Sequence, residues 1–410
     1  MTRSRIALVL AVMIVIPAAV PAEHTDTLPL GPKERCLVLR TVEAGKILDT
    51  RTGKDVTIGE IVDRAAGADL VVVGEYHDSL ACHAFQRDLV REMGKKHPKT
   101  VVGFEFFLHD KDDAALAAWL GDGGDEADLL RAVGWYDKTS MHYGYTRMVM
   151  AAVRAAGLSA VGLNAPRSLV HRVAGGGLKA LSRRERGMFA HVEQKNAQHR
   201  HFIQQVFGAA ALRLPPWFDR IYAAQTCWDS VMAASMRDFL ASKPGKGRKG
   251  IIIAGAAHVA HGLGIPFRYR LGQRRARLIT IVPVRVESKA DGGSEGHPML
   301  KMMAGNMPPA GMFSAGIADF VVGLPAKEEE KYPALNVSGH MEGEAFVVDK
   351  VGEAGLPAQL GLRKGDRVLS VDDKPVTSQA ELRLLLGVEG KTPPRLRLER
   401  TPTPPANRDQ

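Results

Sequence analysis

VVVGEYHD, residues 71–78, joins a run of valines to a glutamate, a tyrosine and a histidine through one glycine. Three successive β-branched residues without polar alternation read as a strand buried on both faces, and a strand that ends in Gly-Glu-Tyr-His delivers polar groups to the edge of a core. The same character returns in TVVGFEFF from Thr100, LSAVGLNAP from Leu158, GIIIAGAAH from Gly250 and RLITIVPV from Arg277, with helical patterns between most of these runs. Short apolar strands separated by helices predict an α/β domain: a mostly parallel sheet flanked by helices. No strand pattern occurs between Asn164 and Gly250, where SRRERGMFAHVEQKNAQHRHFIQQVF and RIYAAQTCWDSVMAASMRDFLAS are helical in period. That interval predicts a helical cap inserted between two strands.

The chain has 410 residues, 45% of them hydrophobic, which suffices for one large core and a second, smaller domain. Residues 1–22 read as a secretory signal peptide, with Arg3 and Arg5 ahead of an apolar run, Ile6 to Val20, that Pro17 interrupts, and small residues before Glu23. The run is shorter than the roughly 20 residues a bilayer-spanning helix needs, although an uncleaved anchor is the alternative. The formal charge is +10 and falls to +8 without Arg3 and Arg5, a balance that favours anionic ligands or surfaces. Nucleic acid is not an expected partner, because the basic residues are scattered and not interleaved with aromatics. Three cysteines, Cys36, Cys82 and Cys227, form no CxxC pattern and predict no disulfide framework.

The chemistry is expected where strands end. Gly74 to His77 and Gly255 to His258 are both Gly-x-x-His just past an apolar strand, and Glu105 ends a third strand. In a parallel sheet the carboxyl ends share one edge, and ligands bind in the crevice outside it. Glu75, His77, Glu105 and His258 therefore converge in expectation as a metal site or an acid/base set. His83, six residues after His77, is expected to point elsewhere, and His199 and His201 to be solvated on a cap helix. Trp135, Tyr136, Tyr143 and Tyr145 offer ring contacts or, more plainly, core.

The segments TGKDVTIGEIVDRAAGADLVVVGEYHDSLACHAFQRDLVREM, GFEFF, GLNAPRSLV, AAQTCWDSVMAASM and IIIAGAAHVAHGLGIPFR, in that order, resemble the ChaN-like haem-binding lipoprotein family, of a superfamily that includes Tiki proteases and erythromycin esterases. The resemblance implies an α/β fold with a helical cap and a role in haem binding and iron uptake at the cell envelope. It carries the site to Glu75, His77, Glu105 and His258, and matches Gln225, Trp228, Asp229 and Met232 to a helix whose polar residues reach the same cleft. Haem is the implied cofactor, with Tyr76, His77 or His258 as axial ligand and Gln225 and Asp229 nearby. The alternative is a hydrolase, peptidase- or esterase-like, that uses the four residues with zinc or manganese, or with a histidine as general base and no metal. No cysteine closely follows the apolar run, so the expected form is periplasmic and soluble, with membrane association as the alternative.

A second resemblance covers the carboxy-terminal part. AFVVDKVGEAGLPAQLGLRKGDRVLSVDDKPVTSQAELRLLLG and RLRLER resemble a PDZ domain, a small β-rich fold that takes up a peptide or envelope-protein partner as an added strand. PALNVSG stands in place of that family's usual Gly-Leu-Gly-Phe loop, so peptide capture and a spacer or dimerisation role, including a homodimer, stay open. The expected division is a signal peptide at 1–22, the ChaN-like domain at 35–286, a linker at 287–331 in which FSAGIADFVVG could supply a strand that packs back on either neighbour, the PDZ domain at 332–401 and a disordered tail at 402–410.

Overall fold

The structure, a computed structural model, describes residues 23–121, 124–187, 195–286, 311–328, 330–387 and 393–400. The expected signal peptide, most of the expected linker and the expected tail lie outside the described residues. No helix among those described is long and apolar enough to cross a membrane.

The strands are β1 (Leu39–Thr41), β2 (Ile47–Asp49), β3 (Lys54–Asp55), β4 (Leu70–Glu75), β5 (Thr100–Leu108), β6 (Ser159–Asn164), β7 (Lys249–Gly255), β8 (Leu278–Val286), β9 (Met312–Ser314) and β10 (Phe320–Pro325). Among the described residues they build an eight-stranded sheet in the order β3-β2-β10-β8-β4-β7-β5-β6, with β1 and β9 as a separate pair. From β10 to β6 every neighbouring pair is parallel, and β2 and β3 close one edge as an antiparallel hairpin. Every residue of β4 is buried, as a strand covered on both faces must be.

Alternation along β4 divides the two cores. Val71 and Val73 pack with helices Ile58–Ala65, Leu80–Lys96 and Gly144–Ala155, whereas Leu70 and Val72 pack with the cap helix Pro215–Ala241 and with helix Ile265–Gly272. The same alternation sends Glu75 to the first face. In β5, Val102 and Phe104 belong to the first face and Val101 to the second, so Glu105 is sent to the cap side. Close approach at the edge needs Gly162, where an added Cβ would lie 2.4 Å from the Leu108 carbonyl oxygen.

One boundary is corrected. Residues 312–325, placed within the linker, supply β9 and β10: the strand that FSAGIADFVVG could offer packs back on the preceding domain, where β10 is an interior strand between β2 and β8. Its Phe320 and Val321 are as buried as the residues of β4. The carboxy-terminal part is a β-rich module of β11 (Val337–Glu342), β12 (Ala345–Val351), β13 (Arg367–Val371), β14 (Lys374–Pro375) and β15 (Leu396–Glu399), with helix Gln379–Gly387 beside β11. Its apolar residues Leu335, Phe346, Leu382 and Leu386 are continuous with the first core, so the module is docked on the α/β domain.

Gly162→Ala is expected to lower stability by about 1–3 kcal/mol, because its collision is with backbone and not with a mobile side chain. Gly175→Ala, with open space around it, should be neutral or slightly stabilising. Urea denaturation of both variants measures the contrast.

Candidate functional site

The carboxyl ends of β4, β5 and β7 meet as the alternation requires, and each expected side chain arrives with a specific partner. Glu75, the last residue of β4, is 5% exposed and accepts from His77 Nδ1 at 2.8 Å and from Gln86 Nε2 at 3.1 Å. His83 Nε2 lies 3.6 Å from its other oxygen, while His83 Nδ1 donates to the Ser79 carbonyl. Burial pushes the Glu75 carboxyl up, but the adjacent His83 and His77 outweigh it and hold the group below the usual carboxylate range.

Glu105 faces the cap side. It accepts from the Gly255 backbone N–H at 2.7 Å, and His258 Nε2 stands 3.4 Å from it. On the far side of the ring, His258 Nδ1 is 2.6 Å from Asp229 Oδ1 and 2.9 Å from the Gln225 amide. The Gln225 atom nearest the ring is the amide nitrogen, Nε2. Gln225 and Asp229 are four residues apart on helix Pro215–Ala241 and so share a face. Burial lowers the His258 pKa, yet Glu105 and Asp229 more than offset it and push the imidazole up to about 10. The same pairing holds Glu105 down to about 2 against the opposing effect of burial. His258 is therefore an imidazolium at neutral pH, buried, with both nitrogens engaged.

His77 differs in the one respect that matters for a ligand. Its side chain is 36% exposed, Nδ1 is committed to Glu75, and its ring meets Phe106 edge-on at 4.9 Å. Gly255 leaves room for it: a Cβ there would lie 3.2 Å from Nε2. Burial lowers the His77 pKa, but the Glu75 hydrogen bond and the charges of Glu105 and Glu75 raise it above the ordinary value.

Tyr76 is not brought to this group. It turns toward β8, where its hydroxyl donates to the Pro283 carbonyl at 3.2 Å and Arg285 lies over its ring. Two expectations about other histidines are corrected. His83 points into the cluster because it shares a helical face with Gln86, three residues on. His199 is fully buried, with Nε2 3.4 Å from Asp229 Oδ2 and Nδ1 3.3 Å from the Arg268 guanidinium. Burial lowers its pKa to about 4, so it is neutral where His258 is charged. Trp135, Tyr136, Tyr143 and Tyr145 are core residues, each no more than 2% exposed.

Sequence reasoning missed Gln86 and Arg268. Arg268, 1% exposed, donates to the Leu263 and Gly264 carbonyls and stands 3.4 Å from Asp229 Oδ2. A signal existed for both: Gln86 follows His83 at helical spacing, and Arg268, three residues after Ile265, shares the apolar face of helix Ile265–Gly272, where an arginine needs a buried partner.

The cavity behind this edge, lined by Glu75, His83, Gln86, Phe104 and Glu105 among others, has a volume of about 10 Å³, which holds one water. A planar macrocycle cannot enter it, and His77 is not among its lining residues. Among the described residues, the group of His, Asp and Glu donors that comes within 4.8 Å of one another in the manner of a metal site is His109, Asp110 and Asp113. Glu75, His77, Glu105 and His258 are divided into two carboxylate–imidazole pairs, so the zinc or manganese alternative lacks a closed set of ligands here.

A family model described as haem-binding uptake, Tiki superfamily, ChaN matches residues 61–268. The fold is similar to that of ChaN of Campylobacter jejuni, solved with cofacial haem, at 16% identity over 67% of this chain and 95% of that one, with a TM-score of 0.48. An erythromycin esterase mutant, EreC, in its open conformation is similar at 14% identity over 72% of this chain and 98% of its own, TM-score 0.38. The type III effector HopBA1 gives 16% identity, 66% and 94% coverage and a TM-score of 0.33. No curated protein matches the chain.

Removing one partner of a buried ion pair leaves the other uncompensated, so Asp229→Asn should cost about 3–5 kcal/mol in urea denaturation. The pH dependence follows from the shifts. His258 is held above its ordinary 6.5, so its contribution is full below that value and lost as pH rises toward 10; Glu105 is held below 4.5, so its contribution is full above that value and lost as pH falls toward 2. Stability from the pair is then greatest between about pH 4.5 and 6.5, and Asp229→Asn should flatten the alkaline limb.

Proposed function

The chain belongs to the ChaN family of haem-binding uptake proteins in the Tiki superfamily, and from that premise we propose that it binds haem at the open edge of the sheet, with His77 Nε2 as the axial ligand. One observation carries the reading: His77 alone among the expected ligands pairs an anchored Nδ1 with solvent exposure. A carboxylate on the far nitrogen fixes the tautomer and orientation of a ligating imidazole and raises its basicity. His258 is excluded as ligand by its two carboxylate partners, and Tyr76 by its direction.

Haem supplies an iron that accepts an imidazole nitrogen, together with two anionic propionates. Phe106 offers an apolar edge beside His77, and the chain's net positive charge suits an anionic ligand. Because the cavity behind the edge holds only a water, the ring lies on the surface, and a second copy of the chain is the cover we propose for its outer face. Export through residues 1–22, a periplasmic site of action and a place in haem or iron uptake complete the proposal, supported by the amino-terminal pattern and the family.

A second reading keeps the same pair. A carboxylate-held imidazole open to solvent is also a general base, so an esterase- or peptidase-like activity through His77 and Glu75 is the alternative.

Hemin titrated into the full chain should give a saturable Soret shift that His77→Ala abolishes and Tyr76→Phe leaves intact. Glu75→Gln should weaken binding about 10–100-fold. Affinity should fall as pH drops through the raised His77 pKa, since a proton on Nε2 competes with iron. Absence of any shift, with hydrolysis of p-nitrophenyl acetate lost in His77→Ala, would favour the second reading.

A further inference from the structure

The junction of two cap helices leaves two leucines outside the core. Helix Ala209–Arg213 runs into helix Pro215–Ala241 through Leu214, and Leu212 and Leu214, on either side of Arg213, are 63% and 56% exposed. Pro215 and Pro216 follow, exposed as well. The tip is anchored from below, where Phe207 and Trp217 meet edge-on at 5.7 Å and pack on the cap-side core. Its main chain is as apolar as its side chains. The first four N–H groups of a helix have no partner within it and are usually met by a polar cap. Here Leu214 holds the cap position, Pro215 and Pro216 have no N–H, and Trp217 and Phe218 both donate to the Leu214 carbonyl at 3.0 Å. The start of the helix therefore exposes no unpaired donor, and drying it costs little.

The charge around the tip is mainly positive. Residues 195–220 hold Lys195, Arg200, Arg213 and Arg220 against a single acid, Asp219. Arg200 takes that acid and lies over the Phe218 and Tyr222 rings. Arg213 and Arg220 are exposed and meet no carboxylate among the described residues. A protein partner would need polar groups to pair with, and the start of this helix offers it no free donor. An anionic bilayer needs only what is present: apolar side chains for the acyl boundary, an aromatic ring at the interface and cations at the phosphates.

We propose that Leu212–Trp217 is a peripheral docking surface for an anionic lipid bilayer, with Leu212 and Leu214 entering the headgroup region while Arg213 and Arg220 meet lipid phosphates. The contact holds the cap against the membrane surface. It needs no contribution from residues 1–22 and is independent of what His77 binds.

A local probe on the full chain tests this. Leu212→Cys with Cys36→Ser leaves Cys82 and Cys227 buried and carries nitrobenzoxadiazole at the tip. Vesicles of phosphatidylglycerol and phosphatidylcholine in equal parts should shift the probe's emission to the blue, and phosphatidylcholine alone should shift it far less. A chain held to vesicles only by residues 1–22 would leave the probe in water. Leu214→Asp should raise the lipid concentration at half-shift at least about tenfold. Arg213→Glu should raise it at least about fivefold, and salt at about 0.5 M should act in the same direction. Both changes are at exposed positions, so urea denaturation should be unaltered. No blue shift with the anionic vesicles, or a shift that both substitutions leave intact, would overturn the proposal. So would a shift without vesicles that grows with protein concentration, which would put a second copy in the place of lipid.

Discussion

Everything at the open edge of the sheet depends on an imidazolium clasped between two carboxylates. His258 leaves β7 in a short 3-10 turn, meets Glu105 from β5 with one nitrogen and Asp229 from the cap helix with the other, and so fastens the cap to the sheet. A buried charge is tolerated only when it is opposed, and each carboxylate of this cluster is: Arg268 stands 3.4 Å from Asp229 Oδ2, an oxygen that accepts no hydrogen bond, and the Gly255 N–H donates to Glu105. The arrangement fixes the distance between the cap and the edge, and it uses up both nitrogens of the histidine that seemed an obvious ligand.

That consumption assigns the roles. Two Gly-x-x-His motifs sit on neighbouring parallel strands, yet one histidine side chain is 6% exposed between acids and the other is 36% exposed. The difference arises from the pleat. Glu75 turns to the helical face, where Gln86 and His83 hold it, and it can anchor only one nitrogen of His77; Glu105 turns to the cap, where Asp229 waits across the ring of His258. Equivalent motifs thus end in a histidine closed between two carboxylates in one case and a half-open one held by a single carboxylate in the other.

The sheet was legible because its strands are unbroken apolar runs, and the strand-end residues followed from parallel topology. β10 was legible only as an option, with its neighbour open, because FSAGIADFVVG mixes small residues into its approach and follows a polar, glycine-rich stretch. Partners across the sheet were less legible than positions along it: nothing local in the sequence says that His199 faces Asp229 or that Tyr76 turns to Pro283, since both depend on which side of a strand or cap helix meets which neighbour. Arg268 and Gln86 were hidden for the same reason, although helical spacing from Ile265 and His83 carried a trace of them. The docking of the carboxy-terminal module through Tyr136 and Arg383 joins elements about 250 residues apart and had no local signal.

The central claim is that the two histidines have opposite duties. The most direct measurement is the ¹⁵N spectrum of histidine-labelled protein at pH 8, with and without gallium protoporphyrin, a diamagnetic substitute for haem. The account predicts a doubly protonated His258 that is unchanged by the porphyrin, and a His77 whose Nε2 resonance moves on binding while Nδ1 stays protonated toward Glu75. A neutral His258 whose nitrogen responds to the porphyrin, with His77 unmoved, would contradict it.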